Sequence, residues 1–574
     1  MRVCPRAGPT RFFMDNEGAF DVIVVGTGLT ESITAAALAK AGFKVAHLDE
    51  NVYYGGDEAS LSLDEYINWV TQNKDSTQFS SFSLSSSHVL PNSRQYSISL
   101  SPSVIPSTGS LISSLVASGV SRYGGFRLVE QVAVYSPGHK VKAVPGSKED
   151  IFKDKTISLL DKRRLMRFLV FASGDEDFKG RPELEGVKGD MPFIEFLKAT
   201  FSLNQEMAET ITFALCHCTS PADNALSTLH RLRRYLRSAG RYGHSPFLIG
   251  HYGSSGEIAQ GFCRMAAVSG SVYILGKTID SINRNRSTEK SQSTPIYTLT
   301  LSDFTEPITC DLIIASENRL PAGLARDISH AHRVPSAVGE DTPTAIARGI
   351  CIIDQPLSLA SRQESSIPGE AEFTADSTEP TSILDTGIIV FPPSSLPTGT
   401  ASSAVTVLVV GEGTMSVPKG KWIIYLSTPS SSKSDTISPE QLLKPYLHTT
   451  LSLSATSSDI VPLFSSFYFQ SPPSSSVDSS SIASPGFGVS SKTASPTLPT
   501  ILILPSPAVL PLPDSGDAAA LNAEAVFWDA VKALEGSRAI RGGFAQDTPA
   551  VLEDDELKIG SFWPPVLNEE EDDE

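Results

Sequence analysis

The sequence predicts an α/β fold of the Rossmann type, interrupted by an all-helical domain. Three observations predict it. An apolar strand at residues 21–26 runs into Gly26-Thr27-Gly28, and an alanine-rich helix over 29–41 follows. Helical patterning takes over between about 147 and 240. Strand patterning then returns after Gly256 and continues to about residue 504.

Each element has a local reason. "DVIVVG", residues 21–26, is apolar after Asp21 and reads as the first strand. The helix behind it ends at Gly42, which takes a C-cap conformation without a Cβ penalty. "FKVAHLD", residues 43–49, reads as the second strand, and Asp49 falls about 20 residues past the glycine loop, where a ribose-binding acid belongs. Residues 76–103 are Ser-rich and read as a surface loop with one short strand at 95–100. Two S-x-x-D starts, Ser147/Asp150 and Ser158/Asp161, resemble capping boxes. After the second, Leu165, Phe168 and Leu169 make an apolar stripe, with Lys162, Arg163, Arg164 and Arg167 largely on other faces. A helix over 257–268 precedes the strands "SVYILG", "YTLTL" and "CDLIIAS". "GICIID", "TGIIVFP", "AVTVLVVG" and "KWIIYLST" read as a sheet with short connections. "TILILP" is a late strand and "AAALNAEAVFWDAVKALEG" a late helix. Ser/Pro-rich stretches near 362–383, 427–439 and 472–499 cannot bury a face and read as mobile inserts.

The expected division is a disordered extension over 1–18, a Rossmann-like part over 19–146, a helical domain over 147–245, the remainder of the first domain over 246–550, and an acidic tail over 551–574. Met14 is an alternative start to Met1.

Bulk properties exclude several classes. The net charge of −18, with no long basic run, argues against nucleic acid as a partner. The six cysteines are sparse, and Cys216-His217-Cys218 without a second ligand pair is not a zinc pattern, so buried thiols in a reducing compartment are expected. No apolar run reaches the roughly 18 residues of a membrane span, and the N-terminus lacks the apolar core of a secretory signal. A cytoplasmic protein is expected.

The interrupted layout is that of flavoenzymes of the glutathione-reductase and amine-oxidase kind, so an FAD-dependent oxidase is one reading. Glu31 argues against it. It stands at the third glycine of G-x-G-x-x-G, in the first turn of the helix, where the dipole favours a carboxylate. There it would fill the anion site, and at about 4 Å and an effective dielectric near 20 it would repel each pyrophosphate charge by about 4 kcal/mol. Gly26, Gly28 and Glu31 thus read as a vestigial nucleotide loop with no cofactor; a solvent-facing Glu31 would leave the site open. His47 reads as a packed histidine, and His217, His230, His244 and His251 have no evident nucleophile or metal partner, so no enzymatic activity is expected.

Longer blocks carry a family resemblance. "DVIVVGTGLTES" with "VAHLDENVYYGGDEAS", "GRYGHSPFLIGHYGSSGEIAQGFCRMAAVSGSVYILGKTIDSI" over 240–282, and "LLDKRRLMRFLVFAS" over 159–173 resemble the shared signature of Rab GDP dissociation inhibitors and Rab escort proteins. The resemblance spans residues 20–285 discontinuously and is weak beyond. It implies a carrier with a flavoenzyme-like fold that binds Rab GTPases in the GDP form and shields a geranylgeranyl group as cargo. It places the family's Rab-binding platform on Tyr54, Glu257, Arg264 and Ile274. Glu257 and Arg264, seven apart, project from one helix face; an internal ion pair between them is the structural alternative. Two departures are Ala259, where the family has proline, and Glu50, where the inhibitors have arginine.

Phe152 and Arg163, eleven apart, match the spacing with which escort proteins dock the α subunit of Rab geranylgeranyltransferase. The resemblance therefore implies an escort protein that presents Rab to the α/β transferase and delivers the product in transient contact with membranes; a recycling inhibitor is the alternative. The prenyl chain is expected among the helices of 147–240, with Phe193, Phe196, Leu197, Phe201 and Phe213 as apolar candidates for either cavity or core.

Overall fold

The computed structural model describes residues 18–85, 90–136, 140–144, 157–174, 178, 180–186, 190–285, 295–321, 331–337, 345–359, 383–430, 437–454, 460–472, 499–505, 510–542 and 559–564. Two large sheets organise them. In the first, the strands run in the order Val272–Leu275, Val45–Asp49, Ala19–Val25, Ile308–Ala315, Tyr297–Leu301 and Ile279–Arg284, and Ile501–Ile503 joins Ile308–Ala315 to Ala331–Arg333. We call Ala19–Val25 strand β1 and Val45–Asp49 strand β2. They pair in parallel, with Val22 opposite Val45 and Val25 opposite Leu48, and β1 also pairs in parallel with Ile308–Ala315.

Beyond Asp21, β1 is apolar because both its faces are covered. Val22 and Val24 face helices α1 (Leu29–Lys40), α7 (Ser255–Val268) and α9 (Ser515–Gly542), while Ile23 and Val25 face Leu299, Leu301 and Ile308. The remaining numbered helices are α2 (Leu63–Gln72), α3 (Ser110–Ser118), α4 (Leu159–Ser173), α5 (Phe193–Phe201), α6 (Ala225–Ser238) and α8 (Pro439–Leu451). Alanines 35–37 and 39 on α1 let α7 and α9 approach closely.

The second sheet runs Phe79–Leu84, Phe464–Gln470, Ala345–Ile353, Trp422–Ser430, Val405–Val410, Thr386–Phe391, Gln131–Ser136 and Lys140–Ala143. All its pairs are antiparallel except that between Gln131–Ser136 and Thr386–Phe391. Alternation assigns its faces. Ile350, Ile352, Ile388 and Val390 point to the helical domain; Cys351, Ile353, Ile389 and Phe391 point to Leu443, Tyr446 and Leu447 of α8.

The helical domain packs α4, α5, α6 and a turn at 205–209 that widens into a π-helix at Thr210–Leu215. α4 begins at Ser158, whose hydroxyl accepts a hydrogen bond from the Asp161 amide at 3.1 Å; the Asn224 side chain caps α6 through Leu226 and Ser227. Asp514 bolts α6 to the rest of the chain, meeting Arg231 at 2.8 Å and pairing with Arg234. Asp517 adds Arg234 at 3.1 Å and takes the Leu111 amide of α3 at 2.8 Å.

Several readings need correction. The Ser-rich stretch 76–103 is not loop alone: Phe79–Leu84 is a strand paired with Phe464–Gln470, and only Ile98–Ser99 of the expected strand at 95–100 forms. The insert at 427–439 is bounded inward, because the strand from Trp422 runs to Ser430 and α8 starts at Pro439. Ile383–Leu384 is likewise a short strand rather than insert. Within the acidic tail 551–574, Phe562 is buried and Trp563 stacks at 6.0 Å on Phe262 of α7. Lys162 lies on the buried side of α4. The rest of the inserts, the extension 1–17 and the run "EEEDDE" lie outside the described residues.

Candidate functional site

The start of α1 is the first place to examine. Gly26, at φ +104°, turns the chain out of β1, and its carbonyl accepts from His47 Nε2. Burial drops His47 to about 4, so it is a neutral packed ring. Asp49 is fully engaged by the protein. Its Oδ2 accepts from the Thr27 amide at 2.8 Å and hydroxyl at 2.6 Å; its Oδ1 accepts from the Asn51 amide and side chain, both at 2.9 Å, and faces Arg319 at 3.5 Å.

Two carboxyl groups crowd the N-terminus of α1. Glu58 Oε2 takes the Leu29 amide at 2.8 Å, and Ser316 donates to Glu31 Oε1 at 3.2 Å. Glu31 is only 9% exposed and turned inward. Both groups lie against Gly28, where a Cβ would meet Glu31 Oε2 at 2.6 Å and Glu58 Oε2 at 3.0 Å. Burial raises the Glu31 carboxyl against the pull of Arg319, and burial together with the Glu31 charge pushes Glu58 up to about 8. Burial opposes the Arg319 charge too, but Asp49, Asp57, Glu31 and Glu50 outweigh it and hold the guanidinium protonated.

A dinucleotide does not fit this arrangement. The free amide at the helix start is satisfied by Glu58, the anion position holds carboxyl oxygens, and the acid expected at the ribose has both oxygens bonded. Among the described residues no group of three or more His, Cys, Asp or Glu could hold a metal, and no helix is long and apolar enough to cross a membrane. Cys216, Cys218, Cys263, Cys310 and Cys351 are buried free thiols.

Glu257 and Arg264 lie on α7, Tyr54 lies against Tyr273 on the α7 side of the first sheet, and Ile274 faces the other side of that sheet. Tyr54 is half-buried, its ring edge-on to Tyr273 at 5.8 Å. Ile274, half-buried in the edge strand Val272–Leu275, sits opposite Leu48. Glu257 lines a shallow cleft with Val120, Tyr123, Phe126, His251 and Gly261, and burial raises its carboxyl. Arg264 is exposed, with its guanidinium 4.7 Å above the Tyr123 ring. Among the described residues no ion pair joins Glu257 to Arg264, so the internal-pair alternative does not hold. Cys263, next to Arg264 on α7, lies 3.2 Å from the Ser32 hydroxyl of α1.

Arg163 is exposed on α4, on the side that also carries Leu159, 81% exposed, and Val170, 60% exposed. Phe152 lies outside the described residues. Phe193, Phe196, Leu197, Phe201 and Phe213 are all buried, and the rings of Phe193, Phe196 and Phe201 pack on one another and on Phe168, with Phe196 and Phe201 at 5.7 Å and Phe168 and Phe201 at 5.2 Å. Sequence reasoning missed Glu58, Arg319, Tyr123 and Tyr273; no local motif marks them, since each acts on a residue distant in sequence.

With this geometry in hand, comparison with known proteins is decisive on kinship. A model of the family described as GDP dissociation inhibitor matches residues 14–367. The chain belongs to that family. A Drosophila melanogaster protein named Rab proteins geranylgeranyltransferase component A is 34% identical over 282 residues, 46% of this chain and 54% of that one. Its Saccharomyces cerevisiae namesake is 30% identical over 414 residues, 71% of this chain and 61% of that one. The chain thus spans about half to three-fifths of the length of these curated relatives. The crystal structure of a Plasmodium falciparum Rab GDI superposes with a TM-score of 0.57 at 21% identity, covering 89% of this chain and 98% of that one, and so shares the fold.

Proposed function

We propose that this GDP dissociation inhibitor family member is a Rab escort protein. It binds GDP-loaded Rab GTPases, presents them to the α/β heterodimer of Rab geranylgeranyltransferase, shields the attached geranylgeranyl group, and delivers the product in transient contact with membranes. The chain itself is not catalytic and carries no cofactor; the transferase supplies the chemistry.

One observation carries most of the reading: Arg264 stands exposed over Tyr123, with no ion pair among the described residues, on the same helix as a half-buried Glu257. A charge held by an aromatic platform and left open to solvent is suited to a protein partner. Tyr54 adds an amphipathic anchor packed on Tyr273, and Ile274, the next residue along that edge strand, adds an apolar side chain on the opposite face of the sheet. The names of the curated relatives support the transferase link. The crowded start of α1 speaks against the oxidase reading. The packed phenylalanines would have to part to admit a C20 chain, at a gain of about 0.8 kcal/mol for each methylene equivalent buried.

Assembly tests the reading. The chain, a GDP-loaded Rab and the transferase heterodimer are run together by size exclusion. A ternary complex is expected, with Phe152→Ala or Arg163→Ala releasing the transferase while Rab stays bound. A recycling inhibitor would instead extract prenylated Rab from membranes with no dependence on Phe152. A yellow protein with flavin in stoichiometric amount would defeat both.

A further inference from the structure

Tyr54 sits in a loop with little core of its own. Val52 is exposed, and Asn51, Tyr53 and Tyr54 are only half-buried. The loop is nonetheless fastened at both ends, and the fasteners are the groups that crowd the start of α1. At its beginning, Arg319 reaches Asp49 at 3.5 Å and Glu50 at 3.7 Å. At its end, the same guanidinium lies against Gly56, where a Cβ would stand 3.2 Å from Nη2. Gly56, at φ +51°, therefore meets both a backbone and a space requirement. The Gly55 amide donates to the Thr27 carbonyl at 3.1 Å and hydroxyl at 3.0 Å, and Glu58 closes the turn onto the Leu29 amide.

We propose that Glu58 and Arg319 are positioning residues for the Tyr54 loop: side chains fill the place a dinucleotide would take and fasten residues 49–58 to the start of α1. This rests on the reading of Tyr54 as a contact for the partner GTPase. The physical logic is substitution. In a dinucleotide site the phosphates satisfy the helix start and hold neighbouring loops. Here the Glu58 carboxyl satisfies the helix start, and one buried guanidinium spans the loop that the ligand would have ordered. Arg319 contributes through its reach to both loop ends and Glu58 through one acceptor oxygen, so the two predict different tolerances. Glu58→Gln keeps an acceptor for the Leu29 amide; Glu58→Ala does not. Arg319→Met keeps bulk against Gly56 and loses the ionic contacts to Asp49 and Glu50.

The test uses the full chain and two readouts: amide exchange across residues 50–58, and affinity for a GDP-loaded Rab. Glu58→Ala and Arg319→Met are expected to speed exchange in the loop at least tenfold and to weaken Rab binding about tenfold, while Glu58→Gln stays within about twofold of the unaltered chain on both at pH 7. Unchanged loop exchange in both damaging variants overturns the proposal, as does faster exchange with undiminished Rab affinity. Equal damage from Glu58→Gln and Glu58→Ala overturns the role of Glu58. If Arg319→Met fails to fold, the Gln/Ala pair at Glu58 decides alone. Failure of the unaltered chain to bind any GDP-loaded Rab is a separate result that overturns the functional reading beneath, and with it the positioning role.

Discussion

Replacing Glu58 by glutamine should flatten the pH dependence of folding stability. The carboxyl is pushed from an ordinary 4.5 up to about 8, first by burial and then by the neighbouring Glu31 charge. A group that holds its proton more tightly when folded stabilises fully below its unfolded value. That contribution is lost progressively as pH rises from 4.5 and is gone above about 8. Each tenfold in proton affinity is worth about 1.4 kcal/mol, which sets an upper bound of about 5 kcal/mol over the interval. Glu31 competes for the same proton and Arg319 offsets part of the charge, so a loss on the order of 2–4 kcal/mol is expected. Glu31, Asp57 and Arg319 face this carboxyl and remain in the variant, so their own titrations largely cancel in the comparison. Urea denaturation of both proteins at pH 5, 7 and 8.5 measures the difference. The glutamine variant should gain on the unaltered chain by about 2–4 kcal/mol between pH 5 and 8.5. Parallel curves, within about 0.5 kcal/mol, would refute a buried protonated carboxyl at the start of α1.

Three further outcomes are expected. Arg264→Ala and Tyr123→Ala should each weaken Rab binding by about 1–3 kcal/mol in titration calorimetry while moving the melting temperature little, since the guanidinium is exposed. Asp514→Asn leaves Arg231 and Arg234 without their shared counter-charge at a buried junction and should cost about 3–5 kcal/mol of stability by chemical denaturation, against near-neutral loss for the exposed Lys444–Glu440 pair. Phe196→Ala should destabilise the helical domain by about 3–5 kcal/mol, read by urea unfolding.

The parts legible in the sequence are those whose cause is local. β1, Gly26 and α1 could be read because a continuous apolar run, a left-handed glycine and closely spaced alanines each leave a signature within a few residues. Ser158 and Asp161 marked the start of α4 for the same reason. Phe79–Leu84 escaped because its pairing partner, Phe464–Gln470, lies nearly four hundred residues away and its serines resemble loop. The Ser/Pro end of Trp422–Ser430 misled in the same way, since its ladder to Ala345–Ile353 is a tertiary fact.

The candidate site divides along the same line. Tyr54, Glu257, Arg264 and Ile274 were named from long family-like blocks, whereas the packing of Tyr54 on Tyr273 and of Arg264 on Tyr123 came with the fold. Glu31 was visible as an intruder in a glycine loop. Glu58 and Arg319 were not, because their roles exist only once the loop at 49–58 and the turn at 317–319 close over Gly28. The return of Phe562 and Trp563 onto α7 and α9 was hidden by the acidic residues that surround them in sequence.

Reconstituted prenylation tests the escort account most directly. Purified Rab geranylgeranyltransferase heterodimer, a GDP-loaded Rab and labelled geranylgeranyl diphosphate are combined with and without this chain. The account predicts that transfer to the Rab C-terminus rises at least tenfold when the chain is present and falls back when Phe152 and Arg163 are replaced together. Equal transfer with and without the chain would contradict it.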